Sequence, residues 1–476
     1  MKSAIEREVK LTVDAGFRLP PLKGVPLPTK TLTSVYYDTS DLRLARARIT
    51  LRHRTEGKRS AWQLKLPLHD SRREVELPGK ASTPPSQLRD LLFIHLQGRP
   101  IRPVATLRTR RIGMRVGGSS GAEVVLDEVA ILNQSTEVLM FREVEIERLD
   151  GDAALIASLE RRLRKAGATD HDGRPKMFRA LDLPAPRRLE IPRRDDPPRA
   201  HLQYMLTRQL DTILSRDPGV RLGGESEDLH QMRVATRRMR SMLRIARPLL
   251  KPEWEEPLRD KLGWLGRQLG EARDLDVQIG YFKSQFAKVD ASRRAAIERF
   301  IGNLEKKRRQ VQEKLVRQLR RPRYVTLVNR LMEAVREPAT GSNDTSLPEL
   351  AKKAFKKLRK AVKALDDTAS NMAWHNVRIM AKRARYAAEL AELCSGRTAT
   401  RFIEKMKVIQ DQLGDIQDAS IAEDHLRRFT FKKAGKSETF LADEMVKRQR
   451  QRRRQAKRRF LSTWKNVKKC GAEAWG

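Results

Sequence analysis

Over residues 1 to about 183, polar and apolar positions alternate with a period of two. The pattern runs through Ile5–Val13, Ile49–Arg54, Ala61–Leu66, Arg73–Leu77, Ala105–Ile112, Glu123–Val129 and Phe141–Leu149. Successive side chains of an extended chain point to opposite faces, so each run predicts a strand. Turn formers separate the runs, as at Gly117-Gly118-Ser119-Ser120-Gly121. A half-buried sheet keeps its apolar side in and its polar side out. Here the polar side carries charges of both signs on strand after strand. A flat sheet with a salt-rich outer face accommodates this, and so does a barrel with a polar lumen and a covered outside. Ala153–Ala166 follows as an amphipathic segment of helix length.

Leu183–Ala200 is dense in proline and charge, which predicts an extended linker and a domain boundary at 184–198. Beyond it the period becomes helical and stays so. Helices are predicted over His201–Leu214, Asp228–Leu250, Glu253–Phe286, Ala291–Leu319, Leu347–Leu365 and Met372–Leu393, with Pro, Gly or Asp at the breaks. Lys447–Lys469 sets Arg and Lys around Phe460, Leu461, Trp464 and Val467, which reads as a last helix or as a basic arm. The fold class is α+β multidomain: strands over 1–183, an all-α domain over 199–476.

The helical half carries one pattern twice. His230, Arg233, Arg237 and Arg240 recur as His375, Arg378, Lys382 and Arg385. At about 100° per residue, each set falls within one narrow sector of a helix. Arg244 extends the first row, whereas Glu389 stands at that place in the second. Leu269–Asp274 likewise matches Leu413–Asp418. The offsets, 145 residues for the histidines and 144 for this segment, define repeats of about 199–336 and 347–476. A row of cations repels itself and is tolerated in water or opposite an anion. A single row is ordinarily a solvated face, but its repetition in the same context favours an anion site.

Composition sharpens this. The chain has 476 residues and a formal charge of +40, with 39% hydrophobic residues. It is long enough for two or three domains, and its charge predicts a polyanionic partner: nucleic acid, polyphosphate or an anionic membrane surface. No apolar run is long enough to span a bilayer, and the first residues lack a signal-peptide pattern. The two cysteines, Cys394 and Cys470, lack metal-ligand spacing, as expected of a reduced, cytoplasmic protein. Aromatic stacking platforms for nucleic acid are missing from both halves, so neither a specific nucleic acid nor a membrane is expected as partner.

Candidate chemistry in the first half lies on the polar faces. Glu6, Glu8 and Lys10 alternate on one strand, Glu143, Glu145 and Glu147 on another, Glu123 and Asp127 on a third. Arg52 with Arg54, Lys65, Arg73, and Arg108 with Arg110 project cations at matching spacings. Converging carboxylates make a hard-oxygen site for Mg²⁺ or Mn²⁺, and neighbouring Lys and Arg would hold phosphate oxygens. Cross-strand salt bridges on an exposed face account for the same spacings.

Glu6-Arg7-Glu8-Val9-Lys10 resembles the ExExK signature of the CYTH family, the triphosphate tunnel metalloenzymes. Tyr36-Tyr37-Asp38-Thr39, Leu51-Arg52-His53-Arg54, Trp62-Gln63-Leu64-Lys65, Arg73-Glu74, Thr109-Arg110-Arg111 and the Glu143–Glu147 alternation follow in the family's order. The resemblance implies an antiparallel eight-stranded β-tunnel with flanking helices, hydrolysing a triphosphate with Mg²⁺ or Mn²⁺. It implies Glu6, Glu8, Asp127, Glu143, Glu145 and Glu147 as metal ligands, with Glu6, Glu8 and Lys10 as the catalytic signature. Lys10, Arg52, Arg54, Lys65, Arg108, Arg110 and Lys176 would bind phosphate. Pro175-Lys176 stands where the family has Ser-Lys, and Met1–Ile5 lacks the aromatic-flanked pattern of the adenylate cyclase branch, which favours a triphosphatase.

The duplicated half resembles CHAD, the conserved-histidine α-helical domain. That resemblance implies a pair of pseudo-symmetric four-helix bundles binding inorganic polyphosphate through His230, Arg233, Arg237, Arg240, His375, Arg378, Lys382 and Arg385. Lys356, Arg359, Lys360 and Lys363 precede the second row and either line the same groove or form a solvated face. No second histidine or carboxylate stands at ligand spacing among the arginines of the two rows, so donation to a phosphate oxygen or a backbone carbonyl suits the histidines better than metal binding. The expected whole is an inorganic triphosphatase coupled to a polyphosphate-binding module, cytoplasmic and associated with polyphosphate granules. The alternative is a non-catalytic polyphosphate binder targeted to such granules.

Overall fold

The computed structural model describes residues 2–68, 71–79, 83–118, 121–133, 136–149, 153–185, 189–286, 291–341, 345–366, 368–433 and 436–476. The chain forms two compact units, residues 1–188 and 189–476. Residues 186–188 of the expected linker lie outside the described residues.

The first unit is built on β1 (Lys2–Glu6), β2 (Glu8–Val13), β3 (Gly24–Asp38), β4 (Thr50–Glu56), β5 (Arg59–Pro67), β6 (Arg72–Pro78), β7 (Arg102–Val116), β8 (Ala122–Asn133), β9 (Thr136–Arg148) and β10 (Thr169–Asp170). Its helices are α1 (Arg43–Arg46), α2 (Ser86–Leu91), α3 (Phe93–Leu96), α4 (Ala153–Lys165) and α5 (Lys176–Ala180). The strands make one antiparallel ladder in the order β1-β6-β5-β4-β3-β7-β8-β9-β2-β10. This is ten strands where eight were expected, and among the described residues the ladder does not close on itself. The difference has a simple origin. The N-terminal strand is split at Arg7, so that β1 pairs with β6 while β2 pairs with β9, far along the ladder. Counting that strand once, and leaving out the two-residue β10, gives eight long segments.

Strand parity decides the two faces. Leu11, Val124, Leu126, Val144 and Ile146 are buried on one side, where Leu159 and Leu163 of α4 complete a core. Each fully buried side chain of this size contributes roughly 1.5–3 kcal/mol. The intervening positions, among them Lys10, Asp127, Glu143 and Glu145, are thereby directed to the other side. A second core of Tyr36, Leu107, Val129, Met177 and Phe178 pins α5 against the sheet.

The second unit contains α6 (Pro198–Leu222), α7 (Ser226–Ile245), α8 (Pro252–Phe286), α9 (Ala291–Leu319), α10 (Pro322–Arg336), α11 (Leu347–Lys363), α12 (Asn371–Ser395), α13 (Arg397–Lys433) and α14 (Lys436–Trp475). Helix starts follow their caps: Ser346 and Glu349 form a capping box on α11, and Ser370 accepts from the Ala373 N–H on α12. Consecutive helices α6 to α9 pack side by side, as do α11 to α14, with α10 against α6 and α8 and with α12 also against α7. The basic tail is helical: α14 buries Ala456, Phe460 and Val467, with Phe460 edge-on to Trp374 at 5.4 Å. No helix among the described residues is long and apolar enough to cross a membrane.

Candidate functional site

Two places in the molecule concentrate charge. In the first unit a cavity of about 630 Å³ is lined from β1 through β6, from β7 and β9, and from the start of α5. Register builds the charged cluster that Glu145, Lys10 and Arg111 share with it. Arg111 of β7 pairs with Asp127 of β8, Asp127 with Glu143 of β9, and Lys10 of β2 with Glu145 of β9. Asp127, Glu143 and Glu145 are all buried, and one oxygen of each lies within 4.8 Å of the others. Three carboxylates at that spacing repel strongly unless cations lie among them.

Three cations do. Lys176 contacts all three, bonding Asp127 and lying 3.2 Å from Glu145 and 3.3 Å from Glu143. Lys10 bonds Glu145 and lies 3.6 Å from Glu143. Arg111 donates to Asp127 through Nε at 2.7 Å and Nη2 at 2.6 Å, and to Glu145 at 2.7 Å. Burial by itself would discharge these groups. It pulls the lysine ammoniums down, but Glu145 with its acidic neighbours outweighs it and holds Lys10 and Lys176 above the ordinary lysine range. Burial pushes the Glu145 carboxyl up, yet Lys10, Lys176 and Arg111 hold it well below the usual range. Asp127 and Glu143 are lowered in the same way, against burial, by Lys176 foremost.

The remaining residues expected here divide. Glu6 is held by Lys65, whose ammonium donates to both its oxygens at 2.7 and 2.6 Å, so it stands in the cavity apart from the triad. Glu8 lies 3.4 Å from Lys10 and 3.6 Å from Arg72. Glu147 lines the cavity too; burial and then Glu6 push its carboxyl up to about 7. Arg52 is buried, donating to Gln63 at 2.9 Å and to the Tyr36 hydroxyl at 3.2 Å. Arg54 is pulled down to about 10 by burial and by Arg52 and Arg111 beside it. Its Nε is buried without a hydrogen-bond partner among the described residues. These cations therefore point into the cavity.

Arg108 and Arg110 do not. Their side chains are 48% and 55% exposed and pair with Glu137 and Glu128. Arg111, 20% exposed, is the inward residue. The stretch Arg108-Thr109-Arg110-Arg111 puts a cation on each face, so composition alone does not choose between them. The turn does. Pairs across β7 and β8 join Arg111 to Asp127 and Arg110 to Glu128, and the glycine-rich run Gly117–Gly121 in the sequence signals that register in advance. Arg72 replaces Arg73 at the cavity for the same reason of parity. Tyr36 lines the cavity as well; its hydroxyl is lowered, against burial, by Arg52 and Lys176.

The residues present suit a divalent ion. Asp127, Glu143 and Glu145 are hard oxygen donors turned toward one point, and both Glu143 oxygens are buried without a hydrogen-bond partner among the described residues. The Lys176 ammonium contacts the same oxygens, so it and a metal ion compete for them.

In the second unit the two basic rows converge. Lys382 of α12 is pulled down to about 7, by burial and then by Arg378, Arg237, Arg233 and Arg385. Arg378 is lowered by burial, and by Arg237 and Arg233 against the opposing pull of Asp418. Cations from α7 and α12 thus feel one another directly. The repeat also extends to contacts. Arg233 pairs with Asp274 at 3.3 Å, and Arg378 feels Asp418, the matching position. His230 is lowered by burial and then by Arg273, and His375 shares a 2.9 Å hydrogen bond through Nδ1 with Gln417, again the matching position. Each histidine helix therefore packs on the Leu-Gly-acid segment of its own repeat. Arg240 lies against Gly263 and acts on Arg383. Lys360 is exposed on α11, whereas the cations acting most strongly on Lys382 come from α7 and α12.

The chain matches the CYTH domain over residues 4–173 and the CHAD domain over residues 204–427. Two uncharacterized proteins of Mycobacterium tuberculosis, from strains CDC 1551 / Oshkosh and ATCC 25618 / H37Rv, are each 31% identical to it over 430 residues. The alignment covers 84% of this chain and 82% of theirs. Among solved structures, PptA from Streptomyces chartreusis is similar at 19% identity and TM-score 0.48, covering 57% of this chain and 100% of that one. The CHAD domain of the plant Ricinus communis is similar at 23% identity and TM-score 0.48, covering 58% of this chain and 94% of that one. With the duplicated histidine helices and the ExExK strand in place, the chain belongs to the family of proteins that join a CYTH domain to a CHAD domain.

Proposed function

We propose that the sheet unit is an inorganic triphosphatase, hydrolysing triphosphate or the ends of polyphosphate, and that the helical unit binds inorganic polyphosphate. The observation that carries the first half is the triad of buried carboxylates whose member Glu145 lines one cavity with Lys10, Arg52, Arg54, Lys65, Arg111 and Lys176. Phosphoryl transfer needs cations to hold charge spread over many oxygens. Arg52, Arg54 and Lys65 are placed to take phosphate oxygens, Arg through its planar fork. Lys10, Lys176 and Arg111, now neutralising the carboxylates, gain alternative partners when a triphosphate enters. Asp127, Glu143 and Glu145 would hold Mg²⁺ or Mn²⁺, which when bound polarises phosphate oxygens and readies a water molecule for attack. In this reading the sheet is the expected eight-stranded tunnel. The split at Arg7, which sends β1 and β2 to strands far apart in the ladder, supports it.

The polyphosphate reading of the helical unit is supported by its two rows: Arg233, Arg237, Arg378 and Arg385 together press on the Lys382 ammonium, although Asp274, Asp418 and Glu389 lie beside Arg233, Arg378 and Arg385. In this reading the two repeats are the pseudo-symmetric four-helix bundles, and the matching contacts of His230 and His375 support it. A chain held there keeps its ends at high effective concentration for the catalytic unit. Association with polyphosphate granules follows from the same binding.

The test is phosphate release from triphosphate by the full chain with Mg²⁺ or Mn²⁺, compared with Glu145→Gln and Glu8→Ala. Release by the wild type and its loss in the variants is expected. Tight polyphosphate binding without release would leave the binder alone. Displacement of polyphosphate by RNA or DNA at equal phosphate concentration would overturn the partner.

A further inference from the structure

Between β10 and α5 the chain makes a tight turn, His171–Pro175, that delivers Lys176 to the carboxylates. Gly173 adopts φ +76° there, a conformation a side chain would strain. Asp172 accepts the Arg174 backbone N–H at 2.9 Å, and the Gly173 N–H donates to Nδ1 of His171 at 3.0 Å. Because Nδ1 accepts, the proton of the neutral ring resides on Nε2.

That Nε2 faces Oε2 of Glu143 at 3.5 Å. Both atoms are buried, and neither has a hydrogen-bond partner within ordinary limits among the described residues. The ammoniums of Lys176 and Lys10 approach the other oxygen, Oε1, at 3.3 and 3.6 Å. Glu143 thus divides its two oxygens: Oε1 turns toward the cations of the triad, and Oε2 is left to the imidazole. Neither the motifs nor the charge pattern singled out His171.

We propose that His171 is a positioning residue, whose Nε2–H fixes the Glu143 carboxylate so that Oε1 serves the metal. This rests on reading Asp127, Glu143 and Glu145 as metal ligands. The turn then does two jobs with one backbone, setting the tautomer of His171 and bringing in Lys176. A hydrogen-bond donor behind a ligating carboxylate restricts its rotation, and loss of such a partner typically weakens metal affinity about 10–100-fold.

The experiment measures Mn²⁺ binding to the full chain by the electron paramagnetic resonance signal of free Mn²⁺, without substrate. His171→Phe keeps the ring and removes the donor; His171→Asn shortens it out of reach; His171→Gln keeps an N–H at comparable reach. Affinity should fall about 10–100-fold in the first two and stay within a few-fold of wild type in the third. Wild-type affinity in both His171→Phe and His171→Asn, or an equal loss in His171→Gln, overturns the role of His171 alone. A wild-type chain that binds no Mn²⁺ overturns the metal reading and this inference with it.

Discussion

Arg238 of α7 donates to Glu389 of α12 at 3.1 Å. Glu389 is also 3.6 Å from Arg385, and the guanidiniums of Arg238 and Arg385 both lie over the ring of Tyr386, at 5.7 and 5.2 Å. Glu389 is the position at which the second basic row departs from the first, where Arg244 stands instead. The departure has a physical reason: it puts a carboxylate where α7 and α12 bring their cations together.

Glu389→Gln should therefore cost stability rather than local charge alone. It leaves two part-buried guanidiniums without their shared carboxylate, a loss of about 1–3 kcal/mol. Urea unfolding measures it, and an unchanged midpoint would show the pair to be incidental.

Arg111→Ala should lower triphosphate hydrolysis by about 100-fold or more, the scale of losing one fixed cation at a developing charge. Arg108→Ala and Arg110→Ala should stay within a few-fold of wild type, because their side chains lie outside the cavity. Steady-state rates of the three variants decide between the faces of β7.

Lys176→Met removes the cation that touches all three carboxylates. The metal-free variant should unfold at lower temperature than wild type, since Asp127, Glu143 and Glu145 lose their shared partner. Added Mn²⁺ should raise its melting temperature by more than it raises that of wild type, because ion and ammonium no longer compete. Thermal unfolding with and without chelator reads both effects. Equal metal responses would place Lys176 outside the competition.

Polyphosphate binding should weaken as pH rises from 6 to 9. The Lys382 amine, pulled to about 7 in the free chain, is partly neutral at pH 7. A bound polyanion favours the charged form, so binding takes up a proton, and affinity falls with pH above 7 until the bound-state value is passed. Titration calorimetry in buffers of different ionisation enthalpy gives the proton count directly. Lys382→Arg, permanently charged, should flatten the dependence.

Much of this molecule was legible before folding. Alternation marked the strands other than β3 and β10, taking β1 and β2 as one run, and the shift to a helical period marked the second half, because side-chain direction follows local backbone geometry. The paired histidine rows were visible because a duplication preserves spacing, whereas Asp127, Glu143 and Glu145 stood among six carboxylates that the family resemblance implied as ligands, and spacing alone did not separate them from cross-strand salt bridges. The tertiary structure decided which charges meet. It brought Lys10 to Glu145, gave Glu6 to Lys65, and aimed His171 at Glu143 from a turn with no periodicity to read. Pairings between separate elements, of which Lys10 with Glu145 spans 135 residues, depend on how those elements pack, and a pattern that repeats every two or four residues carries no record of that distance.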